Sequence, residues 1–378
     1  MDDRQRYLET LLFGKPDRVP LDPGYGREST RAVWHTQGLP AQINDGQQIA
    51  EYAYRSVGGT LDWPVAGEGF PVNERMVPEF EEKVLQRGER TQIVQDWKGN
   101  ICEISNEYST VYLRDAIDFV TRRWIKCPVE NHEDWEQMKF RYNADESVRF
   151  PQDAAARGMR LRQRTWPVVL NISGPFWQLR EWLGFENLCV LFKDDPRFVK
   201  EMIAFWDAFI CRLLENTLRY VNLDEVHLSE DMAFKNFSMI SPAMTREFIL
   251  PTYQHWGEIV RAAGVPLYAI DSDGYIGQLI PVWLDAGVNM CDPIEVAAGN
   301  DIGAYRKAFG RRMAFRGGVD KRAMAKGGIE VEGEINRLQP VIADGGYIPS
   351  CDHGVPSDVS WSHFIHYTRH LARATGWL

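Results

Sequence analysis

The chain has 378 residues, with 43 basic against 53 acidic side chains and a formal charge of −10. Its 44% hydrophobic and 25% charged content suits a large packed core and excludes disorder or a collagen-like repeat. The acidic balance excludes nucleic acid as a natural partner, and no apolar run approaches the ~18 residues of a membrane span. Met1-Asp2-Asp3-Arg4 opens the chain with charge where a secretion signal would be apolar. Six cysteines are scattered without a C-x-x-C pair, which predicts reduced thiols and a cytoplasmic protein. Thirteen tryptophans hint at a ring-lined pocket, although core packing is their commoner use.

In chain order, residues 2–13 predict an amphipathic helix with Tyr7, Leu8, Leu11 and Leu12 on one face. Residues 18–21 predict a strand that stops at Pro23 and Gly24, and residues 61–65 predict a second. Between 70 and 127 the alternating stretches 83–86, 91–96 and 101–104, with a turn at Lys98-Gly99-Asn100, predict antiparallel hairpins standing on a larger scaffold. From 131 onward strands alternate with helices. The predicted strands are 167–171, 225–228, 266–270, 288–290, 313–315 and 346–348. The predicted helices are 195–220, 241–262, 275–286, 300–309, 320–343 and 357–373. Eight strands alternating with helices predict an α/β fold, a closed (β/α)8 TIM barrel. It forms one domain over residues 1–378, with the β insertion at about 70–127 between strands 2 and 3. An open doubly wound sheet is the runner-up, and the G-x-G-x-x-G loop expected of it is missing.

Barrels carry their chemistry where strands meet the following loops. There the sequence places Asp22 to Arg27, Asn171 to Trp177, His227 to Asp231, Asp271-Ser272-Asp273, Asp292 with Glu295, Gly317 to Arg322, and Cys351-Asp352-His353. Asp, Ser and Gly also cap helices and make turns, so any single Asp has that second reading. Asp271 and Asp273 share one side of an extended segment. With Glu230, Asp231, Cys351 and His353 they bring oxygen, thiol and imidazole donors together from three loops. Such a set suits Zn2+ with an open position, and equally a metal-free acid/base site. His363, His366 and His370 form a stripe on the last helix, where packing is the favoured reading. Asp320-Lys321-Arg322 opens a helix, either as an anion site or simply with Asp320 as its cap.

The segments 4–20, Glu230 to Lys235, 240–244, Asp271 to Gly274, Gly317 to Arg322 and Gly345 to His353 resemble the uroporphyrinogen decarboxylase superfamily. The resemblance runs from residue 4 to about 373 and implies a (β/α)8 barrel. It implies one of two activities: cofactor-free decarboxylation of uroporphyrinogen, or zinc-dependent methyl transfer involving a corrinoid protein. The decarboxylases carry an Arg-Gln-Ala-Gly-Arg segment where this chain has Gly24-Tyr25-Gly26-Arg27, so a substrate with eight carboxylates would be poorly met. The methyltransferases carry His-x-Cys where this chain has Asp271-Ser272-Asp273, and a distant Cys where it has Cys351.

The resemblance therefore implies a methyltransferase moving a methyl group from a small O-methyl compound, aromatic ones included, to a corrinoid protein. Glu230, Asp273 and Cys351 are expected as Zn2+ ligands, with Asp271 and His353 as further ligands or as groups that orient them. Asp271, Asp273, Glu230 and His353 are the expected catalytic residues. Tyr25, Arg27, Trp63, Asn171, Trp177, Trp182, His227, Asp231, Lys321 and Arg322 are the expected substrate-binding residues. No Asp-x-His-x-x-Gly cobalamin signature occurs, so the corrinoid would arrive on its own protein, docking transiently over the barrel mouth with the 70–127 hairpins, their tip at 98–100 included, as part of the rim. The oligomeric state stays open, a homodimer included. The alternatives are a metal-free decarboxylase using Arg27 and Arg322, and a non-catalytic corrinoid-binding barrel.

Overall fold

A computed structural model describes residues 1–65 and 67–378. Two sheets organise it. An antiparallel sheet runs in the order β1 (Lys83–Arg87), β2 (Thr91–Gln95), β3 (Ile101–Ser105) and β4 (Arg122–Lys126). A parallel sheet contains β5 (Val169–Ser173), β6 (Glu225–Ser229), β7 (Leu267–Asp271), β8 (Met290–Asp292), β9 (Ala314–Val319) and β10 (Tyr347–Cys351), each beside the next in sequence. Helices connect the parallel strands and cover the outer face, where one large apolar cluster packs. The antiparallel hairpins agree with the alternation in the sequence. β4 gives no alternation to read, because Arg122-Arg123-Trp124-Ile125-Lys126 carries charge at three of five positions and the last four are all exposed.

The two early strands do not form. Residues 18–21 and 61–65 have no regular structure, and no strand pair joins β10 to β5 among the described residues. Among the described residues the parallel sheet therefore has six strands rather than the expected eight, with β5 and β10 at its edges. The backbone groups of these segments are satisfied elsewhere. Val19 N donates to Thr375 O at 3.0 Å, and Trp377 Nε1 donates to Val19 O at 2.7 Å. Leu61 N donates to the Tyr54 hydroxyl at 3.1 Å, and Pro64 O accepts from Gln47 Nε2 at 2.6 Å. Pro20, Pro23 and Pro64 cannot donate to a ladder. Val19, Leu21 and Trp63 pack into the apolar core, whereas Leu61 and Val65 are exposed.

Strand register explains where polar groups collect. Side chains alternate between faces, and register partners share a face. One face carries Leu267, Ala269, Met290, Ala314 and Ile348. Tyr7 and Leu11 of the helix Asp3–Leu11 pack into that cluster and plug the amino-terminal end of the sheet. Asp2 starts this helix with a reciprocal capping box to Gln5. On the same face, towards the carboxyl ends, stand His227, Asp271, Asp292, Arg316 and Ser350. The plug is largely apolar, and Tyr7 carries its one polar link inward, donating to the buried Glu225 at the start of β6.

The turn at Lys98-Gly99-Asn100 is not a free tip. Asp96, Trp97 and Asn100 are buried. Lys98 pairs with Glu181 on the helix Pro175–Leu183, and Gly99 takes φ +88°, which favours glycine. Deleting the turn would therefore disturb packing as well as any rim that the hairpins form.

Candidate functional site

A cavity of about 530 Å3 opens at the carboxyl ends of the parallel strands. Asp22, Tyr25, Arg27, Asp231, Asp271, Asp273, Asp292, Arg316, Ser350, Cys351 and His353 line it. Five are aspartates, so the lining is strongly acidic. Its rim is closed by a stack: the Arg27 guanidinium lies 3.8 Å from the Phe119 ring, and Phe119 lies 5.5 Å from His353. Asp118 ties this loop down by accepting from Ser29 N at 2.7 Å and Ser29 Oγ at 3.1 Å.

Below the floor runs a chain of buried charges. Tyr7 donates to Glu225, and His227 Nδ1 lies 2.7 Å from Glu225 Oε1. His227 Nε2 faces Asp292 Oδ1 at 3.3 Å, and Arg316 Nε donates to Asp292 Oδ2 at 2.6 Å. Burial alone would push the His227 imidazole down, but the carboxylates of Asp292 and Glu225 outweigh it and hold it at about 10. Burial pushes the Asp292 carboxyl up, but Arg316 and His227 overcome it and hold it at about 2. The floor is thus permanently charged at neutral pH. Sequence reasoning missed Arg316 because it ended that strand at residue 315; the period-two step from Ala314 was the available signal.

Asp271 stands apart from this network. Burial is the largest influence on its carboxyl and raises it to about 7; His227 opposes, while Asp292 and Asp231 add to the rise. Its Oδ1 accepts from Glu230 N at 3.3 Å. A carboxyl that keeps its proton near neutrality, inside a cavity, is equipped as a general acid. At the rim His353 Nε2 lies 3.3 Å from Asp273 Oδ2, and that contact raises the imidazole pKa.

Glu230 and Asp231 are neighbours that part company. Asp231 takes φ +46°, a left-handed conformation that Asp tolerates better than most residues. Its side chain reaches the cavity and accepts from Asp273 N at 3.2 Å. Glu230 is fully buried. It accepts from Trp177 N at 2.8 Å, Phe176 N at 3.4 Å and the Tyr253 hydroxyl, capping the helix Pro175–Leu183. A Cβ at Gly174 would overlap its carboxyl group, so glycine is required there. Its expected place as metal ligand and catalytic residue is corrected to a structural one. Glu230→Ala is expected to lower stability by about 1–3 kcal/mol in chemical denaturation, because it strands two helix N–H groups and a buried phenol. Donor binding in the cavity should persist once the protein is folded.

The other predicted residues divide. Tyr25, Arg27, Asp231, Asp271, Asp273, Cys351 and His353 line the cavity. His227 lies beneath it, and Asn171 is its register partner on the exposed edge strand β5. Trp177 lines a separate groove of about 960 Å3 beside β4. Two tryptophans and two cations expected at the substrate, Trp63, Trp182, Lys321 and Arg322, are not among the cavity's lining residues. Trp63 packs on Tyr54 and Trp377 at 5.4 and 5.9 Å, and Trp182 is buried with Nε1 donating to the Tyr142 hydroxyl at 3.1 Å. Arg322 pairs with Asp320, which accepts from Arg322 N at 2.9 Å as the helix cap. Lys321 is held by Glu295 at 2.8 Å and Asp352 at 3.6 Å.

The zinc site implied by the resemblance does not fit these residues. Glu230 is committed to its helix, and Asp273 to His353. Cys351 borders the cavity, but it is one residue out of phase with the inward-facing Ser350, also packs in the large apolar cluster, and has its thiol pushed up by burial. Among the described residues, the sets of three or more donors lying within 4.8 Å of one another are Asp207, Cys211, His255 and Glu332, His366, His370, neither at the cavity. All six cysteines are free thiols.

No family model and no curated protein matches the chain. The solved structure of a methyltransferase from Methanosarcina mazei is similar at 13% identity and TM-score 0.58, over 100% of this chain and 98% of that one. This likeness is one of fold, and it extends over the whole chain. A B12-independent methionine synthase from a Shewanella species, bound to selenomethionine, aligns at 11% identity and TM-score 0.39, over 61% of this chain and 67% of that one. No described helix is long and apolar enough to cross a membrane.

Proposed function

We propose that this chain is a methyltransferase that takes a methyl group from a small, uncharged O-methyl compound and passes it to a corrinoid carried by a partner protein. The observation that carries this reading is the Asp271 carboxyl, raised to about 7 in a cavity of about 530 Å3 on a fold shared with a methyltransferase. An alkoxide or phenoxide is a poor leaving group, and a proton delivered as the C–O bond breaks solves that problem. The acceptor's electron pair forms the new bond to the methyl carbon. The C–O pair stays on oxygen, which takes the Asp271 proton and departs as an alcohol or phenol. The carboxylate left behind is stabilised by the His227 imidazolium, which lowers the Asp271 pKa. His353 stands at the rim beside Asp273, a contact that raises its imidazole pKa.

The acidic lining selects against carboxylated donors, which speaks against the decarboxylase alternative. The arginines that reading required are engaged: Arg322 with Asp320, and Arg27 against Phe119. A corrin macrocycle is too large for the cavity and stays on its carrier. The groove of about 960 Å3 lies between β4 and the helix Pro175–Leu183 and shares Asp231 with the cavity. Exposed Trp124 and Phe234 are among its lining residues, and Phe237 stands exposed nearby in sequence. We place carrier docking there. Trp124→Ala with Phe234→Ala is expected to slow transfer to a corrinoid protein at least about tenfold, about 1.4 kcal/mol, and to leave transfer to free cob(I)alamin nearly unchanged. Equal losses with both acceptors would remove the groove from the reading.

The reading is tested by incubating the protein with a panel of O-methyl phenols and alkyl methyl ethers and reduced cobalamin, following the absorbance of methylcobalamin. Donor-dependent methylation is expected. Uroporphyrinogen turnover without corrinoid, or binding without turnover across the panel, would overturn it.

A further inference from the structure

The histidine stripe of the last helix is divided by the structure. His363 Nδ1 meets Ala325 O at 2.8 Å, an ordinary packed contact. His366 and His370 stand one turn apart on the helix Trp361–Ala374, with ring centroids 4.6 Å apart. Both Nε2 atoms face Oε1 of Glu332, at 3.8 and 3.7 Å, and Glu332 belongs to the adjacent helix Gly328–Asp344. These separations are too long for hydrogen bonds. His366 Nε2 is buried, and among the described residues it has no hydrogen-bond partner. Buried polar atoms are normally paired, so this one needs an explanation.

A divalent ion supplies one. Zn2+ holds nitrogen and oxygen ligands at about 2.0–2.2 Å, which in a tetrahedron sets neighbouring donors about 3.3–3.5 Å apart. The two imidazole-to-carboxylate separations, 3.8 and 3.7 Å, lie within a few tenths of an ångström of that spacing, and all three donors lie within 4.8 Å of one another. The second donor set behaves differently. His255 Nδ1 lies 2.9 Å from Asp207 Oδ2, and Cys211 Sγ donates to Asp207 Oδ1 at 3.4 Å, so those groups satisfy one another.

We infer that Glu332, His366 and His370 form a binding site for Zn2+ or a similar divalent transition ion, separate from the barrel mouth. Two imidazoles and one carboxylate favour such ions over Mg2+ and Ca2+. Side-chain exposures of 46% for Glu332, 30% for His366 and 22% for His370 leave room for water to complete the coordination. The ion would clamp the two long C-terminal helices together. It takes no part in the proposed transfer step, so its fate is independent of that reading.

The test uses the full chain after chelator treatment and dialysis. Zn2+ is titrated by calorimetry into wild type, Glu332→Gln, His370→Gln and the pair His366→Gln/His370→Gln, with thermal melts alongside. Wild type is expected to bind one equivalent in the micromolar range with a rise in Tm. Each single variant should bind at least about tenfold more weakly, and the pair should lose the equivalent. Co2+ should give tetrahedral visible absorption in wild type alone, and Mg2+ should shift nothing. The same Zn2+ affinity and the same Tm shift in wild type and the pair, or a wild-type Kd above about 1 mM, would overturn the site.

Discussion

Asp271→Asn is expected to abolish methyl transfer while making the protein more stable above neutral pH. The two effects share one cause. Burial raises the Asp271 carboxyl to about 7, against an ordinary value near 4 in the unfolded chain. Between those values the native state holds a proton that the unfolded state has released, so stability falls as pH rises through this window. Above about pH 7 the whole penalty of a buried carboxylate is present, and asparagine does not have it. The gain at pH 8 is on the order of 2–4 kcal/mol, shrinking to nothing near pH 4, and denaturant midpoints at both values measure it. Turnover should fall at least about a hundredfold, the usual worth of a general acid. A variant that loses about 1 kcal/mol and keeps its rate would instead assign Asp271 to capping.

Asp292→Asn should do the opposite to stability. Asp292 is buried between His227 and Arg316, and its carboxylate is what keeps both cations tolerable there. Removing it leaves two uncompensated charges, at a cost of about 3–5 kcal/mol at pH 7. In the wild type the contribution of Asp292, held at about 2, is present above about pH 4 and is lost as pH falls towards 2. The contribution of His227, held at about 10, is complete below its ordinary value near 6.5 and is lost as pH rises through 10. Two aspartates one strand apart should thus shift the denaturation midpoint in opposite directions. A midpoint unchanged by Asp292→Asn would mean that the buried network contributes nothing.

The sequence made the parallel strands legible because β7 is a short apolar run ending in Asp271, and because β6 and β10 each join apolar residues, Val226 with Leu228 and Tyr347 with Ile348, to polar ones before a loop. It also exposed the acidic concentration at their ends. The two missing strands failed for a reason of chemistry: proline-interrupted segments found helix partners for their backbone groups. Site residues were lost through phase. β5 and β8 begin two residues later than expected and β9 runs on to Val319, which brings Arg316 onto the inner face and leaves Cys351 one step behind Ser350. Nothing in composition could distinguish Glu230 from Asp231. Their fates are decided by one left-handed backbone angle and by the open N–H groups of a helix far away in sequence.

The most direct test is the pH dependence of a single turnover from an O-methyl phenol to cob(I)alamin, followed by absorbance in wild type and Asp271→Asn. The wild-type rate is expected to be flat in acid and to fall as pH rises through about 7, the value at which Asp271 loses its proton. The variant should show only a slow, pH-independent residue. A wild-type rate that stays level from pH 6 to 9, or an Asp271→Asn variant that transfers methyl as fast as wild type, would contradict the assignment of Asp271 as the acid that releases the leaving oxygen.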